Sequence, residues 1–195
     1  MDYTQDIVEY IELEKQVLSN LDVESINKVL NVLVEALEKE VNVYIFGNGG
    51  SAATASHYVN DFNKGISESL EKKFRFICLN DNVSTMMAIA NDSSYEEVFY
   101  QQLKGRLKKE DVVIAISGSG NSKNIVKAIE YTKEVGATLI GLSGYDGGKL
   151  KQLADYSLHV DIKSMQITED VHMIFDHLMM SVLYKHLCHK EHLSK

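Results

Sequence analysis

Apolar and polar positions alternate along this chain in two distinct periods. The first forty residues follow the helical one: Ile7, Ile11, Leu13 and Leu18 mark one amphipathic pattern, and Ile26, Val29, Leu30, Leu33, Val34 and Leu37 a second. The break at Asn20–Asp22 predicts a helical hairpin over residues 1–40, whose second helix ends in the charged run Glu38-Lys39-Glu40. Beyond it come short apolar runs without alternation, as parallel strands covered on both faces require. They predict strands at Val41–Phe46, Lys73–Leu79, Val112–Ile116, Ala137–Leu142 and Tyr156–Val160. Helical patterns separate them at Ser84–Ala90, Tyr95–Leu107, Ser122–Val135 and Lys149–Leu153. A long last helix over Ile167–Cys188 carries Ile167, Val171, Ile174, Phe175, Leu178 and Val182 on one stripe. Strands alternating with helices imply an α/β fold, a three-layer sandwich around a five-stranded parallel sheet. With 195 residues the chain reads as one domain: the hairpin, then an α/β core over 41–195.

Composition narrows the setting. Two cysteines, Cys78 and Cys188, give no disulfide framework and fit a reducing compartment. No apolar run approaches a membrane span, and the opening MDYTQDIVEY is acidic where a secretory signal is basic, so the expected location is cytoplasmic, with no membrane partner. A formal charge of −8 argues against a general nucleic-acid surface, while leaving room for a small anion in a local nest of donors. Proline is absent, so glycines mark most boundaries.

Two of those boundaries carry chemistry. The run 112–116 stops in Ser117-Gly118-Ser119-Gly120-Asn121-Ser122 before a helix, and the run 41–46 stops in Gly47-Asn48-Gly49-Gly50-Ser51 before another. Free N–H groups at a helix start attract anions, hydroxyls add donors, and glycines let backbone approach a ligand. In a sheet of order 2-1-3-4-5 both loops flank the point where strand order reverses, the usual place for a ligand. The spacing is neither a Walker loop nor the dinucleotide pattern. His57 and Asp61, four apart, share one helix face and could grip a metal or a proton, or form a solvated pair, with Ala52, Ala55, Val59 and Phe62 as the opposite, apolar stripe. In the last helix, His172, Asp176 and Glu169 flank the stripe on one side and Asp170 and His177 on the other, positions that commonly make rim contacts. Glu169 and Asp170 also complement the helix dipole. Asn91 and Asp92 could orient sugar hydroxyls or end a helix. His186, His189 and His192 fall in a charged tail and read as solvated, and no chemistry attaches to His159. Met86, Met87, Met173, Met179 and Met180 read as core or interface packing.

Taken together, GNGGSAATASH, AIAND, SGSGNS, GLSGYDGGKL and TEDVHMIFDH resemble the sugar isomerase (SIS) family, and within it the phosphoheptose isomerases, over nearly the whole chain. The resemblance implies a flavodoxin-like sheet, a cytoplasmic homotetramer with active sites at subunit interfaces, and conversion of sedoheptulose 7-phosphate to a heptose 7-phosphate. It implies that Ser117, Gly118, Ser119 and Ser122 hold the phosphate, and that Asn48, Gly49, Gly50 and Ser51 line the sugar. Asn91, Asp92 and Glu169 would face the sugar too. One zinc ion per site would be held by His57, Asp61, Glu169 and His177. Proton transfer through an enediol would use Asp61 as base and His177 as acid, with the metal or the loop N–H groups stabilising the oxygen. The rival reading is a non-catalytic SIS module that binds a phosphosugar or a protein partner.

Three positions depart from the family pattern: Asp61 stands for a longer Glu, Glu169 for a Gln, and Gly65 for an Arg. Asp61 would reach about 1.5 Å less far, and two carboxylates would make the metal site more anionic. Glu169 and His177 are also eight residues apart, roughly 12 Å along a helix. One ion can bind both only if Glu169 lies in a bent lead-in or a second subunit contributes.

Overall fold

The structure, a computed structural model, describes residues 1–188, so His189 and His192 lie outside the described residues. Helix α1 (Thr4–Ser19) and helix α2 (Val23–Lys39) form where the pattern predicts them, separated by the expected break. Asp22 starts α2 by accepting the Ser25 N–H at 3.1 Å, and Glu40 closes it in the left-handed region at φ 53°. The apolar stripe of α2 buries Ile26, Val29, Leu33, Ala36 and Leu37 against the sheet, whereas α1 buries no residue and leaves Ile7, Val8 and Ile11 exposed. Among the described residues no helix is long and apolar enough to cross a membrane.

Five strands, β1 (Val43–Gly47), β2 (Phe76–Cys78), β3 (Val112–Ser117), β4 (Thr138–Ser143) and β5 (Tyr156–His159), pair in parallel in the order β2-β1-β3-β4-β5. Side chains alternate between two cores. Val43, Ile45, Ile114 and Ile116 face α2, helix α3 (Gly50–Asn60) and helix α8 (Met165–Leu183). Tyr44, Phe46, Val113 and Ala115 face helix α6 (Lys123–Val135) and its neighbours, helix α4 (Val83–Asp92), the single turn α5 (Tyr100–Leu103) and α7 (Gly148–Leu153).

Three expectations change. The strand foreseen over Lys73–Leu79 shrinks to three residues because side chains claim its backbone. Ser67 Oγ accepts the Phe74 N–H at 2.9 Å, and the Asn63 amide pairs with both the N–H and the carbonyl of Phe76, at 2.9 and 2.8 Å, closing this sheet edge. The helix foreseen over Tyr95–Leu107 is a 3-10 turn at Tyr95–Glu97 followed by α5, ended by extended Lys104 and by Gly105 at φ 73°. The last helix changes to a π-type turn at Tyr184–Cys188, and its buried face is Ile167, Val171, Phe175, Met179 and Leu183 with Thr168, His172 and Asp176 beside them. Ile174, Leu178 and Val182 are only partly covered, so the true stripe is rotated toward two ionisable residues taken as rim positions. Of the five methionines, Met87 is exposed rather than packed. His186 is exposed as expected.

Helix α3 presses Ala55 and Tyr58 into the sheet and then widens into a π-type segment, Asp61–Ile66, that buries Phe62 and Ile66. Phe62 rather than Val59 anchors this helix: its ring stacks on Phe76 at 4.5 Å and meets Phe74 edge-on at 5.2 Å. Phe62→Ala is therefore expected to lower unfolding free energy by about 3–5 kcal/mol in urea titrations. A loss under 1 kcal/mol would mean that the π-type segment does not depend on this packing.

Candidate functional site

Both glycine-rich loops sit at carboxyl ends of central strands, β1 and β3, on either side of the strand-order reversal. After β3 the backbone doubles back at Gly120, whose φ is 65° and where a Cβ would stand 1.9 Å from the Gly147 carbonyl. Only glycine fits this contact, and the loop after β4 completes it: Leu150 N–H donates to the Gly120 carbonyl at 3.0 Å, and Gly144 N–H to the Gly118 carbonyl at 2.8 Å. Ser122 is the N-cap of α6 but its side chain makes no capping bond, which leaves the hydroxyl for a ligand beside the helix N-terminus.

The two loops are locked to each other by a reciprocal amide pair. Asn48 Nδ2 donates to Asn124 Oδ1 at 2.9 Å, Asn124 Nδ2 donates back to Asn48 Oδ1 at 2.8 Å, and Tyr95 Oη donates to the same Asn48 oxygen at 2.9 Å. On the other side, Gly47 donates its N–H to Asn80 and accepts from the Asn80 amide, at 3.2 and 2.9 Å. The resulting cavity, about 240 Å³, is lined by Asn48, Gly49, Gly50 and Ser51, by Ser117, Gly118, Ser119 and Ser122, and by Met165 and Glu169 of α8. A larger hollow of about 590 Å³ lies between the end of α1, the start of α2 and the segment around β5, but no glycine-rich loop opens into it. Asn91 and Asp92 do not line the smaller cavity: they are exposed at the end of α4, with the Asn91 amide donating to Asp92 at 2.8 Å.

Helix α8 lies alongside α3, both running away from the loops. At the near end the Glu169 carboxylate stands 2.6 Å from where a Cβ on Gly50 would be. Two turns on, His57 and His177 approach to 3.1 Å between their Nε2 atoms. His57 Nε2 is also 3.6 Å from Asp61 Oδ2 and 3.9 Å from Asp176 Oδ2. Ligand atoms of His57, Asp61, Asp176 and His177 all lie within 4.8 Å of one another. Glu169, expected at the metal with His57, Asp61 and His177, is not in this group; it sits about two helix turns away and lines the smaller cavity.

Asp176 is fully buried, and neither carboxylate oxygen has a hydrogen-bond partner among the described residues. Burial, reinforced by the Asp61 charge, pushes its pKa up to about 8. One turn earlier, burial pulls that of His172 down to about 4. His159, half-buried with Nδ1 3.1 Å from Ser143 Oγ, is lowered by burial as well. Two imidazoles and two carboxylates suit a divalent cation, and bonds of about 2.0–2.2 Å in a tetrahedron set ligand atoms about 3.3–3.6 Å apart. The separations in the cluster bracket that range, and the orphaned carboxylate supplies a reason for a cation. The residues present therefore fit such an ion.

The hydrophobic pattern did not single out Asn124, Tyr95, Asn80 or the burial of Asp176. The one available signal for Asp176 was the i, i+4 series Thr168, His172, Asp176 adjoining the stripe.

The SIS domain family model matches residues 3–144. A phosphoheptose isomerase of Helicobacter pylori (strain P12) is 37% identical over 186 residues, covering 95% of this chain and 96% of that one. A probable phosphoheptose isomerase of Thermoplasma acidophilum is 35% identical, covering 91% and 97%. Among solved structures, the phosphoheptose isomerase from Neisseria gonorrhoeae superposes with a TM-score of 0.82 at 26% identity, over 92% of this chain and 95% of that one.

The two perturbed groups of α8 act oppositely on stability. Folded His172 refuses a proton that the unfolded chain takes up below 6.5, so its penalty fades as pH rises from about 4. Folded Asp176 keeps a proton that the unfolded chain releases above 3.8, so its contribution is lost as pH rises toward about 8. Above pH 6.5 only Asp176 acts. The melting temperature of chelator-treated protein should fall between pH 6.5 and 8, and Asp176→Asn should flatten that fall. An unchanged slope in Asp176→Asn would assign the effect elsewhere.

Proposed function

The chain belongs to the SIS domain family, and from this membership and the site's geometry we propose that it is an aldose–ketose isomerase of sugar phosphates, acting on sedoheptulose 7-phosphate to give a heptose 7-phosphate. One observation carries the reading: an anion cavity and a cluster of proton-transferring groups lie on the same two parallel helices, two turns apart. From Gly50 to His57 and from Glu169 to His177 the helix rise amounts to about 10–12 Å. An extended chain covers roughly 1.2 Å per bond, so a seven-carbon sugar phosphate spans about 8–10 Å from phosphorus to its first two carbons. A three-carbon one falls well short.

The phosphate is held by the hydroxyls of Ser117, Ser119 and Ser122, the N–H of Gly118 and the α6 N-terminus, while Asn48, Gly49, Gly50 and Ser51 receive the sugar with Glu169. This remote anchoring contributes binding energy that orients the reacting carbons. Asp61 takes the proton from the carbon alpha to the carbonyl and returns it to the neighbouring carbon. His177 exchanges a proton with the oxygen on the other side, so that charge does not accumulate on the enediol. A divalent ion, zinc foremost, with His57, Asp61 and His177 among its ligands, supplies Lewis-acid stabilisation of negative charge when bound. Asn91 and Asp92, exposed at the end of α4, meet the sugar of a neighbouring subunit. The exposed apolar side of α1 and the partly exposed His57 support a homotetramer with sites at subunit interfaces, working in the cytoplasm on a small molecule rather than on nucleic acid.

Purified protein should convert sedoheptulose 7-phosphate to an aldose product seen by NMR and act much more slowly on triose phosphates. Ser119→Ala and Ser122→Ala should each raise KM about 10–100-fold, the loss of one hydrogen bond to a charged group, with metal content unchanged. Binding without turnover would overturn the enzyme reading in favour of a non-catalytic module, and metal loss in the serine variants would mean that the phosphate is assigned to the wrong loop.

A further inference from the structure

Asp176 is a residue the isomerase reading does not use and the fold does not explain. A fully buried carboxylate with no hydrogen bond to either oxygen among the described residues is costly to keep, and a well-packed apolar side chain would hold α8 in place better. Among the described residues no lysine or arginine pairs with it; its near charged-group contact is His57 Nε2 at 3.9 Å. That same nitrogen meets His177 at 3.1 Å and Asp61 at 3.6 Å. Each helix contributes two of the four groups, α3 through the i, i+4 pair His57 and Asp61, α8 through the adjacent pair Asp176 and His177. Glu169 stands apart from this group: its carboxylate lies over Gly50 and lines the smaller cavity, two turns away.

We propose that Asp176 is a ligand of the divalent cation and completes, with His57, Asp61 and His177, a coordination set furnished entirely by one chain. Glu169 is released from the metal and serves the substrate cavity alone. The proposal rests on the metal-assisted reading of this site. It accounts for two features together: the shortened acid at position 61 works in a compact two-aspartate set, and the buried carboxylate at 176 has its charge matched.

Zn2+ binding to the full chain, followed by competition with a chromophoric chelator and by metal analysis after dialysis, tests this without substrate. The wild-type protein should hold about one Zn2+ per chain. Asp176→Asn should weaken Zn2+ binding by more than about 100-fold, since even partners outside the coordination sphere are worth 10–100-fold. Glu169→Gln should leave Zn2+ affinity unchanged. As a second readout, Asp176→Leu should raise the melting temperature of the metal-free protein and abolish its rise on adding Zn2+, whereas a merely structural aspartate would leave the metal-free variant less stable. Wild-type Zn2+ affinity in Asp176→Asn, or loss of Zn2+ in Glu169→Gln, would overturn the assignment. Either result leaves conversion of sedoheptulose 7-phosphate untouched as a separate question, so the two readings fail separately.

Discussion

Everything at this site depends on the register of α3 against α8. The helices run in the same direction, and at the loop end the Glu169 carboxylate of α8 lies over position 50, where glycine leaves it room. Seven and eight residues on, the two histidines face each other, and Asp61 and Asp176 flank them. Sliding one helix past the other by a turn would leave two imidazoles without partners and bury two carboxylates against nothing. The tight loops do the corresponding work at the near end, where the Asn48–Asn124 amide pair joins β1 and β3 loops into one surface.

The cost of this arrangement is concentrated on α8. His172 and Asp176 occupy core positions where aliphatic residues would pack without penalty, and burial disfavours the charged form of both. Such conflicts between local rule and global fold are expected where a site is built into a helix face. Asp61 adds to the conflict by raising Asp176 further. A cation bound between Asp61 and Asp176 would offset the repulsion of their carboxylates and favour the ionised form of Asp176.

The strands were legible because a parallel strand buried on both faces is a plain apolar run, and Val112–Ile116 is the clearest case. β2 was overextended because an edge strand can be ended by side chains, here Ser67 and Asn63, that leave no mark on the hydropathy pattern. The two tight loops could be read from glycines and serines alone, since those residues act through backbone geometry. The far half of the site could not. Polar residues within a buried stripe look the same in sequence as polar residues beside it, so Asp176 was read as a rim position. Glu169 enters the metal set by resemblance alone; it lies eight positions before His177, two turns from that group within one chain. At Gly65, where the resemblance implied an arginine, a Cβ would stand 3.2 Å from the Met180 methyl, and nothing in the structure explains the glycine.

The central claim is that phosphate anchored at the β3 loop delivers the carbons next to the carbonyl to Asp61 and His177. Wash-in of solvent deuterium reports that step directly. Sedoheptulose 7-phosphate incubated in D2O with the metal-loaded protein should acquire deuterium at the carbon alpha to its carbonyl, and the exchange should vanish in Asp61→Asn while phosphate binding persists. Exchange at the wild-type rate in Asp61→Asn, or none in the wild-type protein, would contradict the account.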